Sequence, residues 1–110
     1  MNERIKTILE KIKFYVEQIH EFLNGVSYST FCKDTKTMAA CIFNLSQIGE
    51  LANKLNAHFI EGSKHIPWHK IKGLRNRIVH DYEGVQLTIV WDVLVNFLPT
   101  LKKDINELLI

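Results

Sequence analysis

Apolar side chains recur along this chain at steps of three and four, and no stretch shows the step of two that a half-buried strand requires. From Asn2 to Asn24 they fall at Ile5, Ile8, Ile12, Tyr15/Val16, Ile19 and Phe22/Leu23. That spacing draws one stripe along a helix. Asn2 is suited to cap its start, and Asn24-Gly25 to stop it, because both residues tolerate the left-handed turn that ends helices. A short polar stretch follows, with Ser27 and Ser29 as candidate caps. A second stripe runs through Met38, Cys41/Ile42, Leu45, Ile48, Leu51/Ala52 and Leu55. Gly49 lies inside it, at a cost of about 1 kcal/mol against alanine, which marks a close approach by another backbone or a ligand.

Residues 57 to 66 read as a loop. Pro67 is placed as the first residue of a third helix, where its missing N–H would have had no partner anyway. That helix is predicted to turn Trp68, Ile71, Leu74 and Ile78 inward and to end near Tyr82, ahead of Gly84. The last helix is predicted from Thr88 to the C-terminus through Ile89, Val93, Phe97, Leu101, Ile105 and Leu108, kinked at Pro99. The reading is all-α: an antiparallel, up-and-down four-helix bundle with a short extra helix, and one domain over residues 1–110. The last helix is apolar on more than one side (Val90, Leu94, Val95 and Leu98 as well), and a homodimer packed through helices is the simplest way to bury the excess.

Composition narrows the class without naming a function. Pro and Gly together are 7 of 110 residues, too few for a turn-rich β-sandwich. Two cysteines make no disulfide framework and fit a reduced, cytoplasmic setting. No apolar run reaches the ~18 residues of a membrane span. Cys32 and Cys41, nine apart, lack zinc-pair spacing, and Pro67 breaks the helix that would pair His65 with His69, so no metal or other cofactor is expected. No Ser/His/Asp set or phosphate-cradling glycine loop is visible.

The net charge of +2 hides an uneven distribution. Between Gly62 and His80 stand five cations (Lys64, Lys70, Lys72, Arg75, Arg77) and three of the five histidines, with no acid among them. Such a segment attracts an oligoanion such as RNA, with an affinity that falls as salt rises. A solvated helix face would have the same composition, so the cluster matters chiefly for what ends it.

It ends in R-N-R-I-V-H-D-Y, residues 75 to 82. Asn76 and His80, four apart, share a helix face, whereas Arg75 and His80, five apart, are separated by about 140° around the axis. A tight Arg75–His80 pair therefore needs the helix to fray near His80, or a second chain to complete the site. Arg77 and Asp81 are spaced for a surface ion pair. Histidine exchanges a proton near neutral pH, and arginine offers a charged planar fork to phosphate oxygens. Together they suffice for metal-independent RNA cleavage. A base takes the 2′-hydroxyl proton, the oxygen attacks phosphorus, and a cation stabilises the charge that develops.

These residues resemble the R-x4–6-H-x-Y signature of the HepT-like toxins, a branch of the HEPN superfamily of helical nucleases. The similarity extends to NLSQIGELANKL at 44–55, to IPWHKIKGLRNRIVHDYEGV at 66–85 and to Val90-Trp91, covering about residues 38 to 108. Leu51 stands where the family more often has alanine, a matter of packing rather than chemistry. The resemblance implies an endoribonuclease toxin acting as a homodimer, its two motifs facing each other across the interface. The implied partner is a cognate MNT-type nucleotidyltransferase antitoxin that transfers AMP to the motif tyrosine. Carried over by position, Arg75 and His80 are catalytic, Asn76 supports the site, and Tyr82 is the residue adenylylated. Lys70, Lys72 and Arg77 are the candidate RNA contacts, and Glu50 is a candidate to orient Arg75 or His80, with a salt-bridged surface role as its alternative. A non-catalytic, nucleotide-binding partner subunit of a nucleotidyltransferase is the competing functional reading. Asn44 is expected to hydrogen-bond between helices, and Trp68 and Trp91 to lie in the core or an interface.

Overall fold

The structure, a computed structural model, describes residues 1–74, 76–78 and 86–110. The first stripe forms α1 (Glu3–Phe22), with the Asn2 side chain accepting from the Ile5 N–H at 2.8 Å. Its inward face is Ile5, Ile8, Leu9, Ile12, Val16 and Ile19, all buried. Each such aliphatic side chain contributes roughly 1.5–3 kcal/mol on full burial, against about 1 kcal/mol for a cap, so packing rather than propensity holds this helix. Gly25 follows with φ 75°, the left-handed conformation expected at this stop.

Capping after Gly25 is divided between two residues. Ser27 caps a single-turn helix, α2 (Tyr28–Phe31), through the Thr30 N–H at 3.1 Å. The long second helix, α3 (Thr35–Ala52), is capped instead by Asp34, which accepts from the Thr37 N–H at 3.0 Å. Ser29 lies inside α2 and caps nothing. The stripe expected in α3 is buried except for Ile42, which is half-buried, and Leu55, beyond the helix end, is buried with it.

Two expectations need correction. Residues 57–66 are not all loop, because Asn56 accepts from the Phe59 N–H at 2.8 Å and starts α4 (Ala57–Glu61). The third helix is not continuous either. Pro67 is its cap rather than its first residue, α5 spans Trp68–Lys72, and a turn at Gly73 interrupts it. Helical backbone resumes at 74 and 76–78, with the Arg77 N–H on the Gly73 carbonyl at 3.0 Å. Trp68, Ile71, Leu74 and Ile78 are all buried, so the inward face survives the break. The predicted end near Tyr82 lies outside the described residues.

The C-terminal run begins with α6 (Leu87–Asp92), widens into a π-helical turn (Val93–Phe97) and continues as α7 (Leu98–Leu109). Pro99 therefore sits in the first turn of α7 instead of kinking a continuous helix. The turn before it has already left the i→i−4 ladder that proline interrupts: the Leu98 N–H bonds five residues back, to the Val93 carbonyl.

Antiparallel packing is legible in which residues meet. The buried Asn44 of α3 donates to the Gln18 side chain at 3.0 Å and to the Tyr15 carbonyl at 3.3 Å on α1, as expected of a helix-bridging amide. Leu51 and Lys54 share a groove with Arg4 and Ile8, so α3 runs opposite to α1. Lys102 pairs with Glu17 at 3.4 Å while Leu108 lies near Ile5, which runs α7 opposite to α1 as well. The α5 segment packs on α3 and completes an all-α bundle. Trp91 fills the gap beside α2, its ring centroid 5.1 Å from Phe31 and 5.8 Å from Tyr28.

One polar relay fixes the start of α5. The buried Trp68 indole N–H donates to Ser63 Oγ at 2.9 Å, and Ser63 Oγ donates to the Phe59 carbonyl at 2.8 Å. Ser63→Ala leaves the indole N–H buried and unpaired. In urea unfolding it is expected to lose about 1–3 kcal/mol, whereas adding Trp68→Phe removes the orphaned donor, so the second change costs less in that background than alone.

Candidate functional site

The segment that carries the basic motif is held from beneath by its own apolar residues. Trp68, Ile71, Leu74 and Ile78 fill the core. Lys70, Asn76 and Arg77 are exposed and Lys72 is half-buried. Arg75, His80 and Tyr82 lie outside the described residues, as does Asp81, the expected partner of Arg77. Glu50 is half-buried on α3, the helix against which α5 packs, and follows the buried Gly49.

Two concave surfaces meet at Lys70. One, of about 340 Å³, runs over Lys64, His65, Pro67 and His69. Lys64 pairs there with Glu61 at 2.9 Å, but both side chains are more than two-thirds exposed, and such a pair contributes little to stability. The other, of about 440 Å³, lies between the α5 segment and the C-terminal run. Lys70, Gly73, Leu74 and Arg77 form one wall; Ile89, Asp92, Val93 and Phe97 form the other. Lys70 belongs to both surfaces, so positive charge continues from the lead-in of α5 to Arg77.

The second wall was not anticipated from the sequence. The π turn carries Val93 and Phe97, and π turns inside helices occur frequently at functional sites. Asn96 donates to the Asp92 carboxylate at 2.6 Å on the same run. The available signal was the four-residue repeat of Ile89, Val93 and Phe97 beside Asp92 and Asn96, which reads as excess apolar surface when no wall faces it.

Other reactive side chains are disposed differently. Cys41 is buried, and burial pushes its thiol up to about 12, with the charge of Asp34 adding to the shift, so at neutral pH it is an unreactive thiol. Trp68, at 2% exposure, is a core residue and offers no face to a base.

A model of the HepT-like ribonucleases matches residues 12–108. The chain belongs to the HepT-like ribonuclease family. This HepT-like chain is 31% identical over 105 residues to a Caldanaerobacter subterraneus subsp. tengcongensis protein named "Putative RNase", covering 96% of this chain and 90% of that one. It is 32% identical to a "Putative RNase" of Methanocaldococcus jannaschii, covering 96% and 87%. It is 31% identical to the "Probable ribonuclease HepT" of Thermococcus cleftensis, covering 98% of both chains. No solved structure matches it. The family match runs from the middle of α1 through α3 and the basic segment to the C-terminal run, so the walls of the cavity at Lys70 fall within the HepT-like region.

No helix among the described residues is long and apolar enough to cross a membrane. A polyanion such as RNA is attracted to a surface of this charge. Lys70→Ala in the HepT-like chain is expected to weaken binding of single-stranded RNA to a similar degree whatever its sequence. It should also reduce the slope of log K against log salt by about 0.7, the share of one phosphate contact. Filter binding between low and moderate salt measures both.

Proposed function

We propose that this chain is the toxin component of a toxin–antitoxin pair, a metal-independent endoribonuclease that cuts RNA with Arg75 and His80. Membership of a ribonuclease family carries the reading, together with the Arg75, Asn76, His80, Tyr82 set at the end of a segment free of acids. His80 takes the proton of a ribose 2′-hydroxyl as the oxygen attacks the adjacent phosphorus. The bond from phosphorus to the 5′ oxygen breaks, and that oxygen leaves with a proton supplied by a second imidazole or by water. The products are a 2′,3′-cyclic phosphate and a free 5′-hydroxyl. The Arg75 guanidinium neutralises the charge that builds on the non-bridging oxygens. Asn76 and Glu50 hold these two groups in place, and Lys70, Lys72 and Arg77 guide the strand by its phosphates.

The working unit is a homodimer in the cytoplasm. Arg75 and His80 are poorly placed to pair on one straight helix, and facing copies of the motif supply both an acid and a base. The partner is an MNT-type nucleotidyltransferase antitoxin, which transfers AMP to Tyr82. Adenylate two residues from His80 carries charge of the same sign as the substrate and fills the cleft, so modification silences cleavage.

His80→Ala in the purified protein is expected to abolish RNA cleavage, while wild-type cleavage persists in EDTA; equal cutting by the variant overturns the proposal. Co-expression with the neighbouring nucleotidyltransferase is expected to add whole adenylate masses to the intact protein, and Tyr82→Phe to prevent the addition.

A further inference from the structure

The cavity between the α5 segment and the π turn is unlike a simple groove between helices, because its walls differ in charge. Lys70 and Arg77 stand on one wall and the Asp92 carboxylate on the other. Between them the lining is apolar: Leu74 is buried, and Val93 and the Phe97 ring are half-buried. At about 440 Å³ the space lies within the range of small-molecule sites, about 300–1,000 Å³, and is large enough for one nucleotide. A nucleotide has the matching polarity: an anionic phosphate at one end, a flat apolar face between, and hydrogen-bond donors on the far edge of its base.

We propose that this cavity is a subsite for one nucleotide of the RNA strand and that Asp92 reads its base; the proposal rests on the ribonuclease reading above. Asn96 donates to Asp92 Oδ1 at 2.6 Å and so fixes the carboxylate rotamer, and among the described residues no cation pairs with Asp92. An ionised carboxylate only accepts hydrogen bonds, so it selects by the donors a base presents. Guanine offers two adjacent donors, N1–H and the N2 amino group, which one carboxylate accepts together. Cytosine and adenine each offer an amino group flanked by an acceptor. Uracil offers only N3–H between two carbonyl oxygens, which repel the carboxylate. The order of preference is guanine first and uracil last. The Phe97 ring and the Val93 side chain supply apolar contact that every base shares, and Lys70 and Arg77 supply the phosphate contact that every nucleotide shares. A second copy of the chain seated on the same walls would instead leave no room for a nucleotide, and the titration below separates the two occupants.

The test is titration of the full chain with each of GMP, AMP, CMP and UMP, followed by amide and indole NMR shifts. Wild-type protein is expected to bind GMP about fivefold or more tightly than UMP, the lower end of what one bidentate base contact discriminates. Asp92→Ala should bring GMP down to the level of UMP, and Lys70→Glu should weaken all four alike. Equal binding of the four by wild-type protein, a preference that survives Asp92→Ala, or no binding of any, as when a second chain fills the cavity, overturns the proposal. Failure of the ribonuclease reading has a separate signature, because nucleotide binding does not need cleavage. Cleavage that is indifferent to His80→Ala while the guanine preference stands would sink that reading alone.

Discussion

One buried hydrogen bond organises the basic segment of this protein. The Trp68 indole lies in the core, and Ser63 satisfies its only polar atom while itself holding the Phe59 carbonyl at the end of α4. A large aromatic residue is thus locked in orientation as well as in depth. Trp68 is the first residue of α5, so its fixed position sets where Lys70 and Lys72 emerge. The neighbouring Phe59 ring, 6.0 Å from that of Trp68, ties α4 into the same assembly. Without this anchor the basic segment would be a short helix with little intrinsic stability, since five residues are far below the length at which a helix holds itself.

Opposite the anchor, the C-terminal run solves a different problem. It must present Val90, Leu94, Leu98, Leu101 and Ile105 to the core while accommodating Pro99. The π turn does this with one wider loop of backbone. The same turn carries Val93 and Phe97 into the cavity wall, so the device that absorbs the proline also shapes the surface beside Arg77. A packing constraint and a cavity wall share one stretch of five residues.

The sequence made the frame legible because hydrophobic spacing is dictated by burial: the stripes of α1 and α3, the inward face of Trp68, Ile71, Leu74 and Ile78, and the bridging role of Asn44 all follow from it. Local backbone detail was harder. Asp34 and Asn56 cap α3 and α4 without standing out in the sequence, because Ser27 and Ser29 carry equally good capping chemistry. The break at Gly73 leaves the apolar spacing intact and so is silent in any pattern of burial. The π turn is invisible for the converse reason: a single extra residue per turn blurs a stripe without erasing it. Of the candidate site, Lys70, Lys72 and Arg77 were legible from charge, as was their placement on the outward face. The opposing wall was not, because Asp92 and Phe97 acquire meaning only when another helix stands across from them.

The cavity at the far end of α1 has a topological consequence. Met1, Asn2 and Leu108 line it together, so the two chain termini emerge side by side. Three of its long segments are held by contacts across the bundle rather than by their order along the chain. A linker of a few residues could close the ends into a ring, and the backbone could be reopened in the exposed bend at Gly25. The helices would then occupy the same places in a rearranged order, with α1 following the C-terminal run that it already packs against.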